Sequence, residues 1–108
     1  DMGRLSPRLV RRASDERVLP CVLPQWDNTP RSAERGRVFH NASPQLFETQ
    51  VEQAASLVAG HRPEHRLVFV KSWNEWAETN HLEPDDRAGR GYLDALRRGL
   101  AAVNGVGA

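Results

Sequence analysis

Apolar positions along the chain gather into four runs of two different kinds. Arg17 to Leu23 (RVLPCVL) and Arg66 to Ser72 (RLVFVKS) are short, continuous and β-branched, the pattern of strands buried on both faces. Pro20 removes one ladder donor from the first run, so a bulge or a strand end is expected there. Phe47, Val51, Ala54, Ala55 and Val58 instead recur every three to four residues, one stripe of a helix. Ser43 is its expected N-cap, Pro44 its first position and Gly60 its stop. The same spacing links Tyr92, Leu93, Leu96, Leu100 and Val103, predicting a second helix over Gly91 to Val103 with Gly105 beyond its end. Residues 1–16 are polar, arginine-rich and broken by Pro7. They read as a connecting segment, or as the frayed tail of a helix that begins upstream, in which Leu5, Leu9 and Val10 make one weak helical turn. Residues 24–43 show neither period, a loop longer than the ~12–15 residues usual in compact domains.

The order strand, loop, helix, strand, loop, helix predicts an α/β fold with a parallel pair joined by a right-handed crossover. Two parallel strands do not make a stable sheet alone, because each edge needs a partner. The pattern therefore predicts part of a larger domain, namely the C-terminal two βα units of a (β/α)8 TIM-type barrel over residues 17–108. Its first partner would be the missing N-terminal part of that barrel.

Composition narrows the function classes without choosing one. Net charge is +1 with 27% charged residues, and the basic residues, all arginine except Lys71, are scattered rather than clustered. No patch for nucleic acid or an anionic membrane is expected. No apolar run approaches the ~18 residues of a membrane span, so a soluble, cytoplasmic protein is expected. The single Cys21 excludes an internal disulfide, and its apolar setting predicts a buried, reduced thiol.

Chemistry concentrates just past the second strand. Trp73, Asn74, Glu75, Trp76 and Glu78 fall within six positions, at the carboxyl end where α/β folds place their active sites. In an extended chain Glu75 and Glu78 would point to opposite faces, and a helical turn would bring both to one side. Two carboxylates so placed serve as acid and base in making or breaking a glycosidic bond. Indoles such as Trp73 and Trp76 pack on apolar sugar faces, and amides such as Asn74 bind hydroxyls. A plainer reading also stands: Trp73 in a core, and the two glutamates in a solvated first helical turn. Trp26, Asp27 and Asn28 repeat the aromatic–carboxylate–amide grouping after the first strand, although Asp-Asn-Thr-Pro is also ordinary turn chemistry. His81 joins these as a candidate glycan contact. A metal site with Glu78 and Glu83 is disfavoured, since no second histidine lies at ligand spacing. No motif calls for a cofactor.

WNEWAETNHLEPD (Trp73 to Asp85) and WDNTPR (Trp26 to Arg31) resemble the glycoside hydrolase family 99-like domain of WbsX-type proteins of bacterial polysaccharide and O-antigen biosynthesis. Asn41-Ala42-Ser43-Pro44 and Gly91-Tyr92-Leu93 extend the likeness over about Val18 to Leu100. The resemblance implies a (β/α)8 barrel and a glycan substrate. By analogy with the related endo-α-mannosidases, Glu75 would be the base toward the sugar 2-hydroxyl and Glu78 the acid/base at the glycosidic oxygen. The family also carries the label glycosyltransferase, so hydrolysis and transfer both stay open. Thr79 departs from the family pattern, standing where glycine is usual after the second glutamate.

Overall fold

The computed structural model describes residues 1–11 and 15–104. Gly105, the expected helix stop, and residues 12–14 of the predicted connecting segment lie outside the described residues. The chain runs α1 (Met2–Arg11), β1 (Cys21–Val22), β2 (Trp26–Asp27), α2 (Thr29–Ser32), β3 (Val38–Phe39), α3 (Pro44–Ala59), β4 (Phe69–Val70), β5 (Asn74–Glu75), β6 (Asn80–His81) and α4 (Gly91–Asn104). The mixture of helix and strand is α/β in character, as the pattern predicts.

Both long helices form where the periodicity puts them. The Ser43 hydroxyl accepts from Leu46 N at 3.1 Å, satisfying one orphan donor of α3, and Pro44 sits where its missing N–H costs nothing. Phe47, Val51, Ala54, Ala55 and Val58 are all buried. On α4, Tyr92 and Ala95 are buried while Leu93 and Leu96 pack at the margin of the core. The core gathers Val10, Val22, Phe47, Val51, Ala54, Leu82, Tyr92 and Ala95. Phe47 and Tyr92 lie with ring centroids 5.8 Å apart across the α3–α4 contact. Leu100, expected on the core face, is 38% exposed.

The predicted parallel pair is present. β1 and β4 align Cys21 with Phe69 and Val22 with Val70, with α3 in the connection between them. The ladders are only two residues long, and among the described residues the strands are buried on one face rather than on both. Val22 is fully buried and Val68 and Val70 turn toward the helices, whereas Cys21, Leu67 and Phe69 face outward and are exposed. Among the described residues the helices cover one face of the pair, so alternate side chains go to solvent. Cys21 is accordingly a free, exposed thiol rather than a buried one.

Two further readings are corrected. The first eleven residues are not merely a connecting segment, because Met2–Arg11 is a helix with Pro7 inside it. Met2, Ser6 and Val10, four apart, are all buried, and Gln50 of α3 donates to the Ser6 hydroxyl at 2.6 Å. The Asp1 carboxylate caps the start by accepting from Gly3 N at 2.8 Å. Packing thus offsets the backbone bond that Pro7 removes. The loop over 24–43 is also ordered, as β2 and β3 pair antiparallel with Trp26 opposite Phe39 and Asp27 opposite Val38.

Candidate active site

After β4 the chain passes a cis Lys71–Ser72 peptide and folds into the β5–β6 hairpin, Asn74 opposite His81 and Glu75 opposite Asn80. Trp76–Glu78 closes this hairpin as one 3₁₀ turn, and Thr79 ends it in the left-handed region at φ 47°, donating its N–H to Trp76 O at 3.1 Å. Asn80, fully buried, anchors the hairpin: its Nδ2 donates to Gln25 O at 2.7 Å and to Lys71 O at 2.9 Å. One amide therefore ties together the segments leaving β1 and β4.

The tight turn brings the two glutamates to one side. Arg31 of α2 reaches both, its Nη1 lying 3.1 Å from Glu78 Oε1 and its Nη2 3.3 Å from Glu75 Oε1. Glu78 is the more enclosed, its side chain 17% exposed against 37% for Glu75. Trp73 and Trp76 stand beside them 56% and 48% exposed, free indole surface next to paired carboxylates. Asn74 is exposed on the same hairpin.

His81 sits beneath Trp76 rather than in the open. Its buried ring stacks on the indole at 3.7 Å and 15°, and its Nε2 is 2.9 Å from Asp85 Oδ2. Burial works to raise the Asp85 carboxyl, but hydrogen bonds from Ala88 N, His81 and Arg87 N together hold it below the usual range. The Trp76 Nε1–H donates to Glu83 at 2.8 Å, so the indole is fixed at its edge and along one face. Among the described residues, His81 Nδ1 and Asn80 Oδ1 have no hydrogen-bond partner.

The Trp26–Asp27–Asn28 group lies on the neighbouring hairpin. Trp26 packs against Phe39, and Lys71 Nζ lies 5.5 Å from its ring centroid, over the indole and not against Glu75. The Asp27 carboxylate accepts from the Thr29 hydroxyl at 2.6 Å and from Thr29 N at 2.9 Å, which together hold it below the usual carboxylate range. Asn28 Oδ1 accepts from Arg37 N at 2.6 Å. A cavity of about 440 Å³ opens here, lined by Trp26, Asp27, Phe39, Asn41, Thr79 and Arg87 among others. Glu75 and Glu78 do not line it, but Thr79 does, one residue from Glu78.

Arg31 is the functional candidate that the sequence patterns do not single out. Its only signal is its place at the end of WDNTPR, and which carboxylates it meets depends on a contact 44 and 47 residues away. Among the described residues no group of three or more histidine, cysteine, aspartate or glutamate side chains is arranged to hold a metal ion. Nor is any helix among them long and apolar enough to cross a membrane.

Two curated relatives, each called uncharacterized protein WxcX and found in Xanthomonas campestris pv. campestris strains B100 and ATCC 33913, are 41% identical over 97 residues. The alignment takes in 89% of this chain but only 14% of each relative, so the chain spans a small part of their length. No solved structure matches it significantly. The family model described as glycosyltransferase WbsX matches residues 4–96, from α1 through the β5–β6 hairpin into α4, and the chain belongs to that family.

Proposed function

We propose that the full-length protein is a carbohydrate-active enzyme of bacterial surface-polysaccharide biosynthesis, with Glu75 and Glu78 as the carboxylates that work on a glycosidic bond. The supporting observation is the convergence of both carboxylates on one guanidinium beside two exposed indoles. Oxygens held by a single guanidinium lie no farther apart than the widest glycosidase carboxyl pairs, roughly 9 Å. By the family resemblance Glu78 would act as acid/base at the glycosidic oxygen and Glu75 as base toward a sugar hydroxyl. Trp73 and Trp76 offer flat apolar surface for sugar rings, with Asn74 beside them for hydroxyls. The cavity beside Trp26, lined also by Phe39, Asn41, Thr79 and Arg87, would then take further units of the same glycan.

The fold of the whole follows the same reading. β1–α3–β4–α4 has the order of two consecutive βα units, and in a (β/α)8 barrel the outward-facing Cys21, Leu67 and Phe69 would meet the remaining strands. A second reading, transfer from an activated sugar, is favoured by the family's description as a glycosyltransferase. The same pair would then deprotonate an acceptor hydroxyl.

The test uses the full-length protein on nitrophenyl glycosides and nucleotide sugars. Glu75→Gln and Glu78→Gln should each abolish turnover while glycan-array binding persists. Full activity in both variants would refute the assignment, and consumption of a nucleotide sugar would decide for transfer over hydrolysis.

A further inference from the structure

Arg31 comes from a different hairpin than the glutamates it touches, and the residues around it are spent on holding it there. Asp27 accepts two hydrogen bonds from Thr29, fixing the first turn of α2. Asn28 O accepts from Arg31 N at 3.1 Å, and the Asn28 side chain and backbone N–H both bond to Arg37. Gly36 closes the turn where a Cβ would sit 2.6 Å from Thr29 Cγ2 and 2.9 Å from Ala33 O. Only glycine fits so close an approach. The whole WDNTPR segment thus fixes the backbone from which the Arg31 guanidinium reaches the glutamates.

We propose that Arg31 is the positioning residue of the site, its fork holding Glu75 and Glu78 side by side, and that Asp27 and Asn28 act on the reaction only through the turn that presents it. This assignment rests on Glu75 and Glu78 being the reacting carboxylates. Two carboxylates three residues apart repel each other, and Glu75, the more exposed, has room to swing into solvent. One cation between them cancels half that charge and sets their separation. A guanidinium does so with two nitrogens in a fixed plane, one for each partner, where an ammonium offers a single point. Exposed ion pairs add little to folding stability. Misplacing a reacting group by ~1 Å, in contrast, costs roughly 100-fold in rate. The loss of Arg31 should therefore appear in turnover and not in melting.

The experiment measures kcat and KM of full-length variants on nitrophenyl glycosides, with Glu75→Gln and Glu78→Gln alongside. Arg31→Ala is expected to lower kcat by roughly 100-fold with a smaller change in KM, and added guanidinium ion should restore part of it. Arg31→Lys should recover less than the native residue. Asp27→Ala should slow the native enzyme yet add nothing in an Arg31→Ala background, the non-additivity of residues acting through one another. Arg31→Gln replaces Arg31→Ala if that variant does not fold. Native kcat in Arg31→Ala, with both glutamine variants dead, overturns this assignment and leaves the catalytic pair standing. Multiplicative effects of Asp27→Ala and Arg31→Ala would place Asp27 on the glycan itself and overturn the role given to the turn. Active glutamine variants would remove the functional reading first.

Discussion

Gly99→Ala sets two effects of similar size against each other, and the structure decides between them. Alanine in place of a mid-helix glycine gains about 1 kcal/mol of helix propensity. Gly99 is buried in α4 against α3, where a Cβ would lie 2.7 Å from Val51 Cγ1, 2.8 Å from Val51 Cβ and 3.0 Å from Glu48 O. Carbon contacts are most favourable near ~3.5–4.0 Å, so the new methyl arrives about an ångström too close. Rotation of the Val51 side chain gives no relief, because its own Cβ and a backbone carbonyl form the obstruction. The helices must separate and loosen Phe47, Ala54 and Ala95 between them, and overpacking of this kind costs about 1–3 kcal/mol. Clash exceeds propensity, leaving a net loss of about 1 kcal/mol. Hydrogen–deuterium exchange on full-length protein reads this locally, and α4 amides should exchange roughly fivefold faster. Slower exchange in Gly99→Ala alone would show that the helix pair yields freely, and would refute the packing argument.

Two further outcomes follow from the site and its support. Thr79 holds a left-handed conformation that costs an L residue roughly 1–2 kcal/mol, so Thr79→Gly should leave the hairpin equally or more resistant to exchange, by at most about 1 kcal/mol after glycine's own entropy cost. A clear loss of protection at Asn80 and His81 would show that the threonine side chain matters more than its backbone. Burial, and then the nearby Asp85 charge, push the Tyr92 phenol from 10.0 up to about 12. The folded state therefore favours the protonated phenol, and the stability this lends is complete below pH 10 and lost as the pH rises through about 12. Tyr92→Phe should flatten the fall in melting temperature across that window, and an unchanged alkaline slope would contradict the linkage.

Local order was legible in the chain wherever one short-range pattern sufficed. Ser43-Pro44 followed by a three-to-four repeat specifies α3, and Tyr92 to Leu96 specify α4, because capping and one-sided burial are properties of a few adjacent residues. The parallel pairing of β1 with β4 followed from two apolar runs flanking a helix. Three-residue spacing also placed Glu75 and Glu78 on one side once the chain turned. What the tertiary structure alone decided depends on residues far apart. Met2–Arg11 is helical across Pro7 because Ser6 and Val10 find Gln50 and the core, which no composition of residues 1–16 reveals. Residues 24–43 become a hairpin through pairing of Trp26 with Phe39, a contact that alternation over two-residue strands is too short to announce. Cys21, Leu67 and Phe69 look like core in sequence and face solvent here, since hydrophobicity records a preference for burial and not which face has a neighbour. Arg31 meets both glutamates because Asn80 ties Gln25 to Lys71 and sets the two hairpins side by side. The residue types were readable in the chain; their meeting point required the folded backbone.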